Sequence, residues 1–316
     1  MKPLISVIVP MYFEEKIVEI CYTRLTQVMS KETTYDYELL FINDGSKDAT
    51  LTLLLEKAKQ DRHVKVISFS RNFGHQAAVS CGIAYAKGEA LVIIDADLQD
   101  PPELIPQMLN LWKQGNEVVY GKRKRRKGET WFKLTTAKIF YRLLGWLTEV
   151  EIPVDTGDFR LIDRKVAEVI KALPEHNRFL RGLVAWTGFR QIPLVYEREA
   201  RFAGETKYPL KKMIHFALDG IFSFSAKPLK LIINIGLLAV LVSLGVLIYS
   251  LVAYLSTGIS TVRGWTSLMV VITFLGGVQL VSIGILGEYI GRMYDESKGR
   301  PLYIVDKTYN IERQDE

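Results

Sequence analysis

The run Asp95-Ala-Asp-Leu-Gln-Asp-Pro-Pro-Glu103 places Asp95, Asp97 and Gln99 at alternate positions of one short turn. Two carboxylates that close repel each other unless a cation joins them, and hard oxygen donors suit Mg²⁺ or Mn²⁺. A divalent ion held by two or three side chains keeps open positions, which substrate phosphates typically fill. The alternative is a capped turn with no ion, since Asp is common before helices. The next residues start a helix: Asp100 is placed to cap it, Pro101 suits the first turn, and Glu103 stands where a capping box wants it.

These residues need a frame that brings phosphates to them. Just before them, Ala90-Leu-Val-Ile-Ile94 is apolar and partly β-branched and reads as a buried strand. Asp95 and Asp97 then lie at a strand's carboxyl end, where open α/β sheets place their ligands. Leu4–Val9, ended by Pro10, reads as the first buried strand. In the loop after it, Tyr12 has the chemistry to stack on a base and Glu14 to accept bonds from a base or ribose; a solvated loop is the alternative. Tyr37–Ile42 is the second strand, and Asn43-Asp-Gly-Ser-Lys-Asp48 is a turn. There Asp44 sits where a nucleotide-reading carboxylate usually does, and Asp48 caps the helix that runs through Lys59. Val64–Ser70 is a third strand and Ala77–Ala86 a helix of small residues. His75 has no second histidine or cysteine at ligand spacing and reads as a loop or helix-start residue. With Glu117–Gly121 as a fifth strand, the alternation predicts a doubly wound, mainly parallel sheet of the α/β class. The Gly-x-Gly-x-x-Gly dinucleotide fingerprint is absent from the sequence. Asp155-Thr-Gly-Asp-Phe-Arg160 reads as a polar loop that holds Asp158 beside Arg160. In Arg178–Trp186 two arginines and a tryptophan fall at helical spacing, some of them as core packing.

The 316 residues carry 41 Lys and Arg against 35 Asp and Glu, a formal charge of +6, so only local basic clusters stand out. The two cysteines, Cys21 and Cys81, match no metal spacing, and a reduced, cytosolic setting fits them. Met1-Lys-Pro-Leu leads directly into a strand-like run, with no signal peptide expected. The C-terminal third differs: 231–255 and 265–287 are uncharged runs, each long enough to cross a bilayer. They read as a transmembrane hairpin joined by 256–264. Basic residues flank its outer ends and only Arg263 lies between, so both termini are expected in the cytoplasm, at an inner or plasma membrane. Gly276, Gly277, Gly284 and Gly291 permit close helix packing and so a homo-oligomer. Lys122-Arg-Lys-Arg-Arg-Lys127 has three readings: membrane or lipid-phosphate contact, a solvated loop, or nucleic-acid binding. The stretch 131–147 is a basic amphipathic helix with aromatics, which favours the membrane over nucleic acid. The stretch 208–225 reads as a second interfacial helix.

Together these motifs resemble the family 2 glycosyltransferases of GT-A fold, and among them the polyisoprenyl-phosphate glycosyltransferases. The likeness rests on Val7-Ile-Val-Pro-Met-Tyr12, Asn43-Asp-Gly-Ser46, Asp95-Ala-Asp-Leu-Gln99, Gly157-Asp-Phe-Arg160 and the paired spans. It implies a Rossmann-like catalytic domain over 1–226, spans at 231–255 and 265–290, and a cytoplasmic tail over 292–316. Nucleotide contacts are implied from Pro10, Tyr12, Glu14, Asp44 and Asp95, and metal contacts to Mg²⁺ or Mn²⁺ from Asp95, Asp97 and Gln99. Arg123 and Lys133 are implied to hold the lipid phosphate, and Lys207 the donor's diphosphate or the acceptor. The expected reaction is inverting transfer of one sugar, glucose from UDP-glucose or another such as N-acetylglucosamine or mannose, to undecaprenyl phosphate. Asp97, Asp158 and Arg160 are the expected catalytic residues, with Asp158 orienting Arg160 or sugar hydroxyls. A non-catalytic nucleotide-binding scaffold is the alternative of another class. The Gln-x-x-Arg-Trp run of processive members has at best a loose echo in Arg178–Trp186, and two spans are too few for a polymer channel.

Overall fold

The computed structural model describes residues 2–124, 156–197, 225, 227–257 and 264–311. The interfacial helices expected over 131–147 and, Ser225 apart, 208–225, with Lys133 and Lys207, lie outside the described residues, as do Arg125, Arg126 and Lys127 of the basic block.

Eight described strands form one sheet. In chain order they are β1 Leu4–Met11, β2 Asp36–Asn43, β3 Val64–Phe69, β4 Ala90–Ile93, β5 Val118–Arg123, β6 Thr156–Asp163, β7 Gln191–Tyr196 and β8 Val305–Tyr309. Their order across the sheet is β7-β5-β6-β4-β1-β2-β3-β8. β4, β1, β2 and β3 are mutually parallel, as the alternation predicts. β6 and β8 run the other way, against β4 and β5 and against β3 respectively. The fold is GT-A-like α/β with a mostly parallel sheet.

Helices cover both faces. α1 (Val18–Met29), α2 (Thr50–Gln60) and α4 (Ile105–Lys113) bury Cys21, Leu25, Leu54 and Met108 against one face, into which β1 directs Ile5, Val7 and Val9. α3 (His75–Tyr85), α5 (Arg164–Ala172) and α6 (Leu180–Trp186) cover the other face, meeting Ile8 of β1 and Ile162 of β6. Period-two alternation thus feeds both cores from the same strands. Both cysteines are buried and free.

Three local expectations change. Asp100 does not cap a helix: it is fully buried, and its carboxylate takes the Tyr196 hydroxyl and the Arg123 guanidinium. Glu103 pairs with Arg24 at 2.6 Å instead of closing a capping box. The expected polar loop 155–160 is strand from Thr156 onward, its polar side chains buried because they meet charged partners in the fold. Asp48 does support its helix, accepting the Thr50 N–H at 3.1 Å.

Two long helices follow, α7 (Lys227–Thr257) and α8 (Trp265–Ser297), and they pack against each other. Leu237, Leu241, Val281 and Ile283 are exposed on them. Among the described residues, Phe274–Ser297 is the one segment whose length and hydropathy suffice for a membrane crossing. β8, which no sequence signal announced, returns the chain to the sheet edge beyond α8, where Asn310 donates to the Ala58 and Val64 carbonyls at 2.6 and 2.9 Å.

Candidate active site

The carboxyl ends of β1 to β4 lie side by side because those strands are parallel and in register, Met11 opposite Asn43 and Asn43 opposite Ser68. Each end contributes a polar loop. After β1, the exposed Tyr12 ring meets Phe13 edge-on at 4.6 Å, and the Glu14 N–H donates to Thr50 Oγ1 at 3.0 Å. Pro10 is buried within β1, opposite Ile42.

After β2, the Asp44 carboxylate accepts the N–H groups of Phe73 and Gly74 at 2.7 and 2.9 Å and the Asn72 side-chain amide at 2.8 Å. Burial raises its pKa against the pull of those backbone N–H groups. Gly45 makes this approach possible: it has φ +66°, and a Cβ there would lie 2.3 Å from the Arg71 carbonyl carbon. Asp44 therefore ties the β2 loop to the β3 loop.

After β4, Asp97 accepts the Gln99 N–H at 3.2 Å, and Leu98 takes a left-handed φ of +53° to close the turn. Both Asp95 and Asp97 are half-buried, whereas Gln99 is buried. The antiparallel strand β6 adds what the sequence order concealed. Ile93 pairs with Arg160, so the register carried two residues further sets Asp158 against Asp95. The His75 imidazole, at the start of α3, lies between them, with Nε2 3.1 Å from Asp158 and 3.6 Å from Asp95. His75, Asp95 and Asp158 bring one donor atom each within 4.8 Å of one another. His75 is thus part of the cluster and not merely a helix-start residue; its spacing in sequence gave no sign because Asp95 lies in the turn after β4 and Asp158 on β6.

The partner of Asp158 is also corrected. Its carboxylate receives Arg181 from α6 side-on, Nε at 2.7 Å and Nη2 at 3.2 Å, a bidentate pair. Arg160 is buried too, but its Nη2 donates to the Gly157 carbonyl at 3.2 Å, and burial drops its pKa to about 10. On the other face of β6, a Cβ on Gly157 would lie 2.5 Å from Arg123 Nη2, so the bare backbone leaves room for that guanidinium. Arg123, expected at the lipid phosphate, stands against Asp100 at 3.4 Å.

The charges explain one another. Burial would raise the Asp158 carboxyl, yet the Arg181 guanidinium and His75 hold it well below the usual carboxylate range. Burial would lower His75, yet its hydrogen bond to the Asp158 carboxylate and the charge of Asp95 lift it to about 9, so it carries a proton at neutral pH. Asp95 is pushed up to about 6 by burial and by the charges of Asp158, Asp100 and Asp97, against the pull of His75. The carboxylate oxygens of Asp95 and Asp97 are hard donors of the kind that suits Mg²⁺ or Mn²⁺.

The comparisons agree with this architecture. Residues 6–171 match the family described as "Glycosyl transferase family 2", and residues 227–293 match "GtrB C-terminal hairpin". "Uncharacterized glycosyltransferase YkcC" of Bacillus subtilis (strain 168) is 54% identical, over 98% of this chain and 95% of its own. "Prophage bactoprenol glucosyl transferase homolog" of Escherichia coli (strain K12) is 42% identical, over 96% of this chain and 98% of its own. A crystal structure of glucosyl-3-phosphoglycerate synthase from Mycobacterium tuberculosis with Mn²⁺, UDP-glucose and phosphoglyceric acid is 20% identical, with a TM-score of 0.45 over 70% of this chain and 79% of that one. With a family match that spans more than half its length and relatives aligned nearly end to end, the chain belongs to glycosyltransferase family 2, among its polyisoprenyl-phosphate glycosyltransferases.

Proposed function

We propose that the protein transfers one sugar, glucose from UDP-glucose, to undecaprenyl phosphate at the cytoplasmic membrane face, with inversion at the anomeric carbon. The observation that carries this reading is the carboxylate and histidine cluster at the β4 end, in a chain whose last third is two long apolar helices. A phosphate oxygen of the acceptor attacks the anomeric carbon from the side opposite the diphosphate. The bond from that carbon to the donor's diphosphate oxygen breaks, and the nucleoside diphosphate leaves with the electron pair. The products are a polyprenyl-phosphate sugar and a nucleoside diphosphate.

Each residue has a place in that reaction. Tyr12 and Glu14 receive the base and ribose, and Asp44 fixes the two loops that flank them. Asp95, Asp97 and Gln99 would hold Mg²⁺ or Mn²⁺, which when bound supplies Lewis-acid stabilisation of the departing diphosphate. Arg181 and protonated His75 keep Asp158 ionised and fixed, and Asp158 orients sugar hydroxyls. Arg123, with Lys133 and Lys207, holds acceptor or donor phosphate. Holding the two reactants in line contributes much of the rate.

The domain plan in this reading is a catalytic domain over 1–226, with interfacial segments at 131–147 and 208–225. Spans cover 231–255 and 265–290, the tail is cytoplasmic, and contact between spans is the route to a homo-oligomer. Purified full-length protein, given radiolabelled nucleotide sugars one at a time with undecaprenyl phosphate, is expected to label lipid most strongly from UDP-glucose. A stronger signal from another sugar would replace the donor, and none from any would overturn the reaction. The topology has its own test. A reporter fused after Glu316 is expected to report a cytoplasmic location, and a tag within 256–264 to react from outside. Protection of that loop in intact cells would remove the hairpin.

A further inference from the structure

The last turn of α8 does more than end a helix. Glu296 points its carboxylate at the turn between α5 and α6. Oε1 accepts the His176 N–H at 2.8 Å and the Asn177 N–H at 3.2 Å, and Oε2 lies 3.0 Å from the same His176 N–H. Charge-assisted bonds of this kind are about twice as strong as neutral ones. The same turn is braced from within, where Arg178 donates to the Leu173 and Glu175 carbonyls at 2.6 and 3.0 Å.

The braced turn leads straight into α6. Its first residue, Leu180, donates its N–H to Gln76 at 3.0 Å, next to His75, and its second, Arg181, makes the bidentate pair with Asp158. A short helix of seven residues has little stability of its own, so its position is set by what holds its ends. Its N-terminal end is held by α3 and, through the turn, by α8. The path from the apolar helix to the catalytic cluster is therefore two contacts joined by continuous chain: Glu296 on the 176–177 backbone, and, past the start of α6, Arg181 on Asp158.

We infer that Glu296 is a positioning residue for the transfer reaction: it anchors the turn that sets how far Arg181 reaches Asp158, and so couples the end of the membrane hairpin to the catalytic cluster. The inference rests on the reading of Arg181 and Asp158 as part of the catalytic centre. Its chemical sense is that the acceptor is a lipid, so the helix that is embedded with the acceptor also fixes the group beside which the acceptor's phosphate reacts.

A double-mutant cycle on the full-length protein in lipid nanodiscs tests it, with kcat and the KM for donor and acceptor measured separately. Glu296→Ala is expected to lower kcat about ten- to a hundred-fold, the scale of an ångström-level displacement at a reacting centre. The donor KM is expected to hold, since Tyr12, Glu14 and Asp44 are on other loops. Glu296→Gln keeps an acceptor oxygen for both N–H groups and is expected to recover most of the loss, which also separates positioning from a failure to fold. In an Arg181→Ala background, Glu296→Ala is expected to cost nothing further. Additive losses, or wild-type kcat in Glu296→Ala, overturn the inference while leaving the site as read. Full activity in Arg181→Ala alone overturns the reading of the site, and the inference with it.

Discussion

Replacing Asp97 with Asn is expected to lower kcat about a thousandfold while the protein folds as before. The substitution keeps the shape and the acceptor oxygen that receives the Gln99 N–H, and removes only the charge. In the proposed reaction that charge holds the ion beside the leaving diphosphate, and such stabilisation is worth several kcal/mol; about 4 kcal/mol corresponds to the stated factor. Asp97 is half-buried and Asn is nearly isosteric with it, so the melting temperature should hold. The checks are kcat, thermal unfolding, and wild-type activity under excess chelator with Mg²⁺ or Mn²⁺ added back. Undiminished turnover in the variant, or in wild type stripped of divalent ions, would remove the metal from the reaction.

Asp158→Asn is expected to lower kcat by about a hundred- to a thousandfold, the range spanned by lost orientation and lost acid–base assistance alike, and raising the pH should not restore it. Only the pH dependence separates the two causes. The Arg181 guanidinium and His75 hold the Asp158 carboxyl well below the usual range, so it has little affinity for a proton at neutral pH. The acceptor needs little help: a phosphate monoester with a second pKa of about 6 is mostly dianionic near pH 7. A base removed by mutation would be replaced by hydroxide as pH rises, whereas a missing orienting carboxylate would not. A group whose folded pKa is depressed contributes stability above its unfolded pKa, and loses it only as pH falls through the folded value. Rate profiles taken from pH 7 to 9 are thus free of that acid effect. The variant's melting temperature should nevertheless drop, because Arg181 and His75 lose a buried counter-charge, a loss on the order of 3–5 kcal/mol for buried pairs. Recovery of most activity by pH 9 would make Asp158 a base.

Much of this protein was legible along the chain because its signals are local. A strand, a turn and the residue types within it are determined over a few neighbours. So β1 to β4, the Asp44 turn and the Asp95–Gln99 turn could be read from apolar runs ending in Pro, Gly and Asp. The long uncharged runs were equally plain, and each became one long helix.

Tertiary structure decided who meets whom. Asp158 looked like a loop residue paired with its near neighbour Arg160. Burial became possible only because β6 inserts antiparallel beside β4, bringing to it a histidine 83 residues earlier and an arginine 23 residues later. Hydrophobic periodicity carries no information about such pairings, because a buried charge is tolerated by its partners and not by its position in a pattern. Asp100 misled for the same reason: next to Pro101 it has the form of a cap, and in the fold it is the buried partner of Tyr196 and Arg123. β8 and the Glu296 contact are longer in reach still, since they depend on where α8 ends relative to a sheet built some 200 residues earlier, as the 246-residue separation of Asn310 from Val64 records. The sequence by itself determined the chemistry available at each strand end; the packing of β6, α6 and α8 against those ends determined which groups are held together to use it.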